Sequence, residues 1–178
     1  MFARTDRLLL RPGWGEDAQM LAGAIGDAAV VRNLSRVPWP YGLADAEAFL
    51  ARPRDSLLPT FLITERTPAA PRLVGACGLT RLPSGAVNLG YWIARPDWGR
   101  GIATEACLAL IEIARTLGLP LLEASHFIDN PASGRVLEKL GFTATGLSAP
   151  RYSCARGGEA VARLFRLDLA SGDEALAA

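Results

Sequence analysis

The segment Trp98-Gly99-Arg100-Gly101-Ile102-Ala103-Thr104 has the residue types of an anion site. It follows a stretch that reads as a strand over 87–94, closed by Pro96, and it opens a helix expected over 103–117. A helix N-terminus leaves about four backbone N–H groups without intrahelical partners, and the helix dipole adds partial positive charge there. Such an end binds phosphate readily. Gly99 and Gly101 let the backbone curl and approach a ligand without a Cβ in the way, and Ala103 is small for the same purpose. Arg100 adds a side chain suited to phosphate. Two other phosphate motifs do not fit. The NTPase loop requires Gly-Lys-Ser/Thr, but Ile102 follows Gly101. A dinucleotide fingerprint requires a third glycine or alanine where Thr104 stands, and its turn follows the first strand of its unit rather than a meander.

A second group of polar residues lies further on. Asn130 precedes Pro131, a good start for a helix over 131–140, and Ser133 sits in its first turn. Either residue can serve the helix alone. Asn130 also has amide donors to spare for a ligand, and Ser133 has a hydroxyl proton. His126 is the sole histidine; its type suits proton transfer near neutral pH, although a single strand histidine also packs well. Trp39 and Tyr41 lie in a loop that two prolines and Gly42 keep irregular, and they offer aromatic surface to a substrate or to the core edge. Cys77, Cys107 and Cys154 are odd in number and widely spaced, so they read as reduced thiols, and no metal is expected.

The elements that must position these residues follow from periodicity. Strands are expected over 8–10, 60–64, 73–79, 87–94, 121–127, 143–147 and 163–169, and helices over 16–27, 45–51, 103–117 and 131–140. The three strands 60–64, 73–79 and 87–94 form an antiparallel meander. The strand–helix–strand run over 87–127 forms a parallel crossover. The fold class is therefore α/β (α+β): a mixed, mostly antiparallel sheet with one central crossover, in a single domain over 1–170. The small, polar stretch 171–178 reads as a frayed tail. The chain has 178 residues, 19 basic against 18 acidic side chains, and a net charge of +1. That balance gives no sign of a nucleic-acid binder. No apolar run is long enough for a membrane helix, and the N-terminus does not read as a signal peptide, so a cytoplasmic protein, monomeric or homodimeric, is expected.

The 98–106 segment resembles the pyrophosphate motif of the GCN5-related N-acetyltransferases, Q/R-x-x-G-x-G/A, with Trp98, Gly101 and Ala103 on its fixed positions. Trp98 in place of Gln or Arg, together with Thr104-Glu105-Ala106, is similar to the RimJ/RimL-type branch. The block from Asn130 through Ser133 to Leu140-Gly141-Phe142 resembles the same family, as do Leu89-Gly90-Tyr91-Trp92-Ile93 and residues 5–11. The resemblance implies an enzyme that uses acetyl-CoA as acetyl donor, without metal, and transfers the acetyl group to a primary amine on a protein N-terminus or a small molecule. It implies cofactor contacts from Ile93, Trp98, Gly99, Arg100, Gly101, Ile102, Ala103, Thr104, Asn130 and Ser133. It places Ser133 near the sulfur as proton donor, and Trp39, Tyr41 and Tyr91 on the acceptor side. Two positions depart from the pattern. Asn88 stands where relatives carry a glutamate base, so it could only position a water, with His126 as the other candidate base. Leu137 replaces a tyrosine acid. Those departures leave a non-catalytic acetyl-CoA-binding module as the alternative. A site without a strong base favours an acceptor of low pKa: an α-amine is roughly 10–15% neutral at pH 7, against about 0.04% for lysine.

Overall fold

The computed structural model describes residues 1–53, 55, 57–68 and 70–170, and the expected tail over 171–178 lies outside them. Eight strands form one sheet: β1 (Ala3–Arg4), β2 (Leu8–Arg11), β3 (Thr60–Glu65), β4 (Arg72–Arg81), β5 (Val87–Ile93), β6 (Leu121–Phe127), β7 (Thr143–Ser153) and β8 (Gly158–Asp168). Their spatial order is β1-β2-β3-β4-β5-β6-β8-β7. The helices are α1 (Ala18–Ile25), α2 (Ala28–Val31), α3 (Leu43–Leu50), α4 (Ile102–Thr116) and α5 (Pro131–Lys139). The pair β5–β6 is parallel and every other pair is antiparallel. The meander β3-β4-β5 and the crossover β5-α4-β6 are thus those that the hydrophobic patterning implies.

Alternation along the strands sends side chains to two faces. One face packs under α4 and α5, where Leu8, Leu10, Val74, Leu89, Ile111 and Leu122 join a single core. The other face packs against α1 and α3 through Leu21, Ala46, Leu62 and Ala76, with Ile25, Val30 and Val31 closing its edge beside Trp92.

Three expectations need correction. The helix expected over 16–27 is broken into a 3-10 turn (Gly15–Asp17), α1 and α2. Asp17 is buried and takes both Arg11 guanidinium nitrogens, at 2.6 and 2.7 Å, which fixes a turn there. Asp27 then caps α2 by accepting from the Ala29 N–H at 2.7 Å. The last hairpin is much longer than expected, because β7 continues through Pro150 to Ser153. An edge strand tolerates proline, and Gly146 at φ +78° lies within the register shift between Ala144 and Ser148. The two-residue β1, too short to show periodicity, pairs with β2.

Candidate active site

β5 and β6 share register only at Val87↔Leu122 and Asn88↔Glu123. Beyond that point they splay. The Ala94 N–H donates to the Val74 oxygen at 2.8 Å, which fixes the phase of β5 against β4. Ladder alternation then turns the backbone of Tyr91 and Ile93 toward the splayed gap rather than toward β4. The gap is a notch in the sheet with backbone donors and acceptors on its β5 wall. It opens into a cavity of about 1380 Å³, which exceeds the usual range for one small ligand.

At the end of β5 the chain passes through a short 3-10 turn (Arg95–Asp97) and into the glycine turn. Gly99 and Gly101 adopt φ +76° and +77°, a left-handed conformation that disfavours any side chain. A Cβ at Gly99 would meet nothing within 4 Å, and one at Gly101 only Arg7 Nη2 at 3.8 Å, so open space lies before both. Gly101 is the N-cap of α4 and its carbonyl takes the first helical bond, from Glu105 N–H at 3.1 Å. Among the described residues the N–H groups of Ile102, Ala103 and Thr104 have no protein acceptor. The turn is thus an open cradle of free donors at a helix N-terminus, which fits a pyrophosphate.

The turn is held from outside. Arg7 donates both terminal nitrogens to the Arg100 carbonyl at 3.2 Å and its Nε to Glu105 Oε2 at 2.8 Å. Thr5 Oγ1 and the Arg7 N–H donate to the other Glu105 oxygen. Burial opposes the charge on Glu105, but these bonds prevail and hold its pKa below the usual value. On the other side Asp97, 3% exposed, takes two Arg72 bonds at 2.6 and 2.7 Å. The Arg100 side chain binds Asp97 and Glu65, so its guanidinium is engaged by carboxylates. Trp98 donates its indole N–H to the Ile93 oxygen at 2.8 Å, tying the turn to the wall of the gap.

Across the gap stands α5. Asn130 Oδ1 accepts from Ser133 N–H at 3.4 Å as the helix cap, while its amide donors have no partner among the described residues. Ser133 Oγ lies 2.7 Å from the Tyr91 hydroxyl, with either atom able to donate. Burial pushes the Tyr91 phenol well above its usual pKa and outweighs the opposing Ser133 bond, so it stays protonated. Tyr91 therefore bridges the gap to Ser133. Asn88 lies at the last paired position, on the opposite face of β5. His126 is buried beneath α5: its Nδ1 bonds the Phe127 carbonyl at 2.8 Å, and its Nε2 lies 2.8 Å from where a Cβ on Gly134 would be. Tyr41 lines the cavity and packs against both smaller cores, whereas Trp39 is exposed and off the lining. Leu137 is buried in the core at 1% exposure. Cys77 and Cys107 are buried and Cys154 exposed, all unpaired, with burial pushing the Cys77 thiol up to about 12. Among the described residues no group of three or more His, Cys, Asp or Glu could hold a metal, and no helix is long and apolar enough to cross a membrane.

Sequence reasoning did not identify the brace of Thr5, Arg7 and Glu105. The residues were visible, but no local rule joins positions some 100 apart.

An eight-stranded mixed sheet thus splits beside an open helix N-terminus, a shape that fits an enzyme acting on a phosphate-bearing carrier. The family model described as "Acetyltransferase (GNAT) domain" matches residues 7–143, and the chain belongs to that family. It is an N-acetyltransferase by reaction class. An uncharacterized N-acetyltransferase, p20 of Bacillus licheniformis, is 29% identical over 151 residues, covering 80% of this chain and 83% of that one. Among solved structures, the microcin C7 self-immunity acetyltransferase MccE, in complex with acetyl-CoA and AMP, superposes with a TM-score of 0.77 at 18% identity, over 92% of this chain and 93% of that one. RimL, a ribosomal L7/L12 alpha-N-protein acetyltransferase in complex with coenzyme A, superposes with a TM-score of 0.76 at 18% identity, over 94% and 98%.

Proposed function

We propose that the chain transfers an acetyl group from acetyl-CoA to a primary amine, on a protein or peptide N-terminus or on a small molecule, by direct attack of the amine on the thioester. The observation that carries this reading is the Tyr91–Ser133 bond across a sheet gap that opens beside an unpaired helix N-terminus. Acetyl-CoA, when bound, supplies an activated acyl carbon and a thiol leaving group. The protein's part is positioning and proton handling. The free N–H groups of Ile102, Ala103 and Thr104 hold the diphosphate, and the Asn130 amide adds donors at the start of α5. The β5 wall at Tyr91 and Ile93 offers backbone groups to an extended amide chain and an N–H to developing negative charge on the acyl oxygen. Ser133 Oγ would give a proton to the departing sulfur and recover the one that the amine releases to water, while the hydroxyl of Tyr91, kept protonated by burial, holds Ser133 in place. No carboxylate stands at Asn88, so the amine must arrive neutral or give its proton to water. The likeness to MccE and RimL supports coenzyme A as the carrier and leaves the acceptor open.

The test is release of CoA thiol from acetyl-CoA across a panel of peptide and small-molecule amines. Release that depends on one class of amine supports the reading. Acetyl-CoA binding without release for any amine would replace it with a binding module.

A further inference from the structure

The cavity extends well past the gap, and its far end carries an excess of positive charge. Six cationic side chains line it: Arg36, Arg52, Arg81, Arg135, Lys139 and Arg151. Arg135 and Lys139 belong to α5, on the side of the diphosphate cradle. The other four stand at the opposite end. Arg36 follows α2, Arg52 follows α3, and Arg81 ends β4. Arg151 of β7 and Arg36 stand on segments tied to each other, since Ser153 Oγ donates to the Leu34 carbonyl at 2.8 Å and the Cys154 N–H to the Ser35 carbonyl at 3.0 Å, and both arginines line the same cavity. Against these four stand two carboxylates, Asp45 and Asp55. Each is turned to local backbone: Asp45 accepts from the Gly42 N–H at 2.9 Å, and Asp55 from the Leu57 and Leu58 N–H groups at 2.8 and 3.0 Å. The third carboxylate in the lining, Asp97, is committed to Arg72 and Arg100. Among the described residues Arg36 and Arg151 have neither an ion pair nor a hydrogen-bond partner, whereas Arg7, Arg11, Arg72, Arg100 and Arg156 are all paired with carboxylates.

Resting on the transfer reaction proposed above, we infer that the acceptor is a primary amine carried on an anionic body, with a carboxylate or phosphate group seated at Arg36 and Arg151. Guanidinium groups without protein partners present a planar fork that matches either anion. A groove with an excess of positive charge concentrates anionic ligands. A polycationic acceptor meets repulsion there.

The experiment is calorimetric titration of the CoA-saturated protein at low salt with two sets of amines. One set is a short peptide amide carrying two glutamates after a free amino terminus, with its glutamine and lysine counterparts. The other is phosphoethanolamine against ethanolamine. The inference requires an anionic member of at least one set to bind about tenfold or more tightly than its neutral counterpart. The set that shows the preference identifies carboxylate or phosphate as the anion. The lysine peptide should bind weakest, and Arg36→Glu with Arg151→Glu should abolish the preference at unchanged melting temperature. Equal binding within both sets, binding by none, or a preference that survives in the double variant overturns it. Thiol release measured alongside separates this inference from the one beneath it. Selective binding of the anionic amine without release from any amine defeats the transfer reaction and leaves the docking site standing.

Discussion

Ser133 gives its N–H to a helix cap and, in the proposed reaction, its hydroxyl to the departing sulfur, and one substitution separates the two roles. Its N–H belongs to the Asn130 cap, whereas its hydroxyl belongs to Tyr91. Ser133→Ala keeps the first and removes the second, so kcat should fall, by about tenfold, with little change in KM for acetyl-CoA; the fall is partial because a thiolate with pKa near 8.5 is a tolerable leaving group. Tyr91→Phe should lower kcat similarly, and the double variant should lose no more than the worse single one, since Tyr91 acts by holding Ser133. Asn130→Ala should instead raise KM for acetyl-CoA and lower stability by about 0.5–2 kcal/mol through the lost cap. Steady-state kinetics with melting curves distinguish these outcomes; additive losses at Tyr91 and Ser133 would show that the two act separately. Arg7 works through the turn it holds. Arg7→Ala should raise KM for acetyl-CoA about tenfold and leave kcat near its original value, because the Arg100 carbonyl and Glu105 lose their shared partner. At this scale the sequence made the glycine turn and the Asn130–Ser133 pair visible, because local rules cover caps and helix ends. It did not reveal that Tyr91 reaches Ser133 or that Arg7 reaches Glu105, because both contacts depend on tertiary placement.

The gap exists because β5 and β6 part after two paired residues, and α5 is laid across the parting. Its close approach depends on Gly134. A methyl there would lie 2.8 Å from His126 Nε2 and 3.2 Å from its Cε1, and the ring is held by the Phe127 carbonyl and by Phe165 at 5.3 Å between centroids. Gly134→Ala should therefore destabilise the fold by about 1–3 kcal/mol despite the better helix propensity of alanine. A melting temperature at or above wild type would show that His126 can move aside. Long, strongly patterned elements such as α4 and β6 were legible to within a residue or so. The region 16–31 was not, since Asp17 breaks the helix only because a strand places Arg11 beside it. The closing hairpin was legible but its full length was not. Its outer residues are exposed, so no alternating pattern marks them, and Pro150 argues locally for a loop.

Several carboxylates across the molecule are locked to arginines, Asp17 and Asp97 from buried positions. Arg11 chiefly lowers the pKa of Asp17, Arg72 that of Asp97, Arg100 that of Glu65 and Arg156 that of Asp129. A carboxylate lowered on folding adds stability that is complete above its unfolded value, about 3.8 for aspartate, and is lost as pH falls through the lower folded value. Denaturant melts should thus show stability nearly level from pH 7 to 5 and falling steeply below about 4. Asp97→Asn should lose about 1.5–3 kcal/mol at pH 7, by removing charged hydrogen bonds, and should show a shallower acid limb. An acid limb of unchanged slope in the variant would place the linkage elsewhere. Net charge and composition carried none of this, because charge pairing is a property of the fold.

The central claim is that the free N-terminus of α4 holds the diphosphate of acetyl-CoA. Thr104 offers the sharpest test, since it is the third residue of the helix, where glutamate is favoured and should not weaken it. Acetyl-CoA should be titrated calorimetrically into the wild type and into Thr104→Glu, with melting curves for both. The account predicts saturable wild-type binding, at least a tenfold loss of affinity in the variant, and an equal or higher melting temperature without ligand. Absent wild-type binding, or a variant that binds acetyl-CoA as tightly, would contradict it.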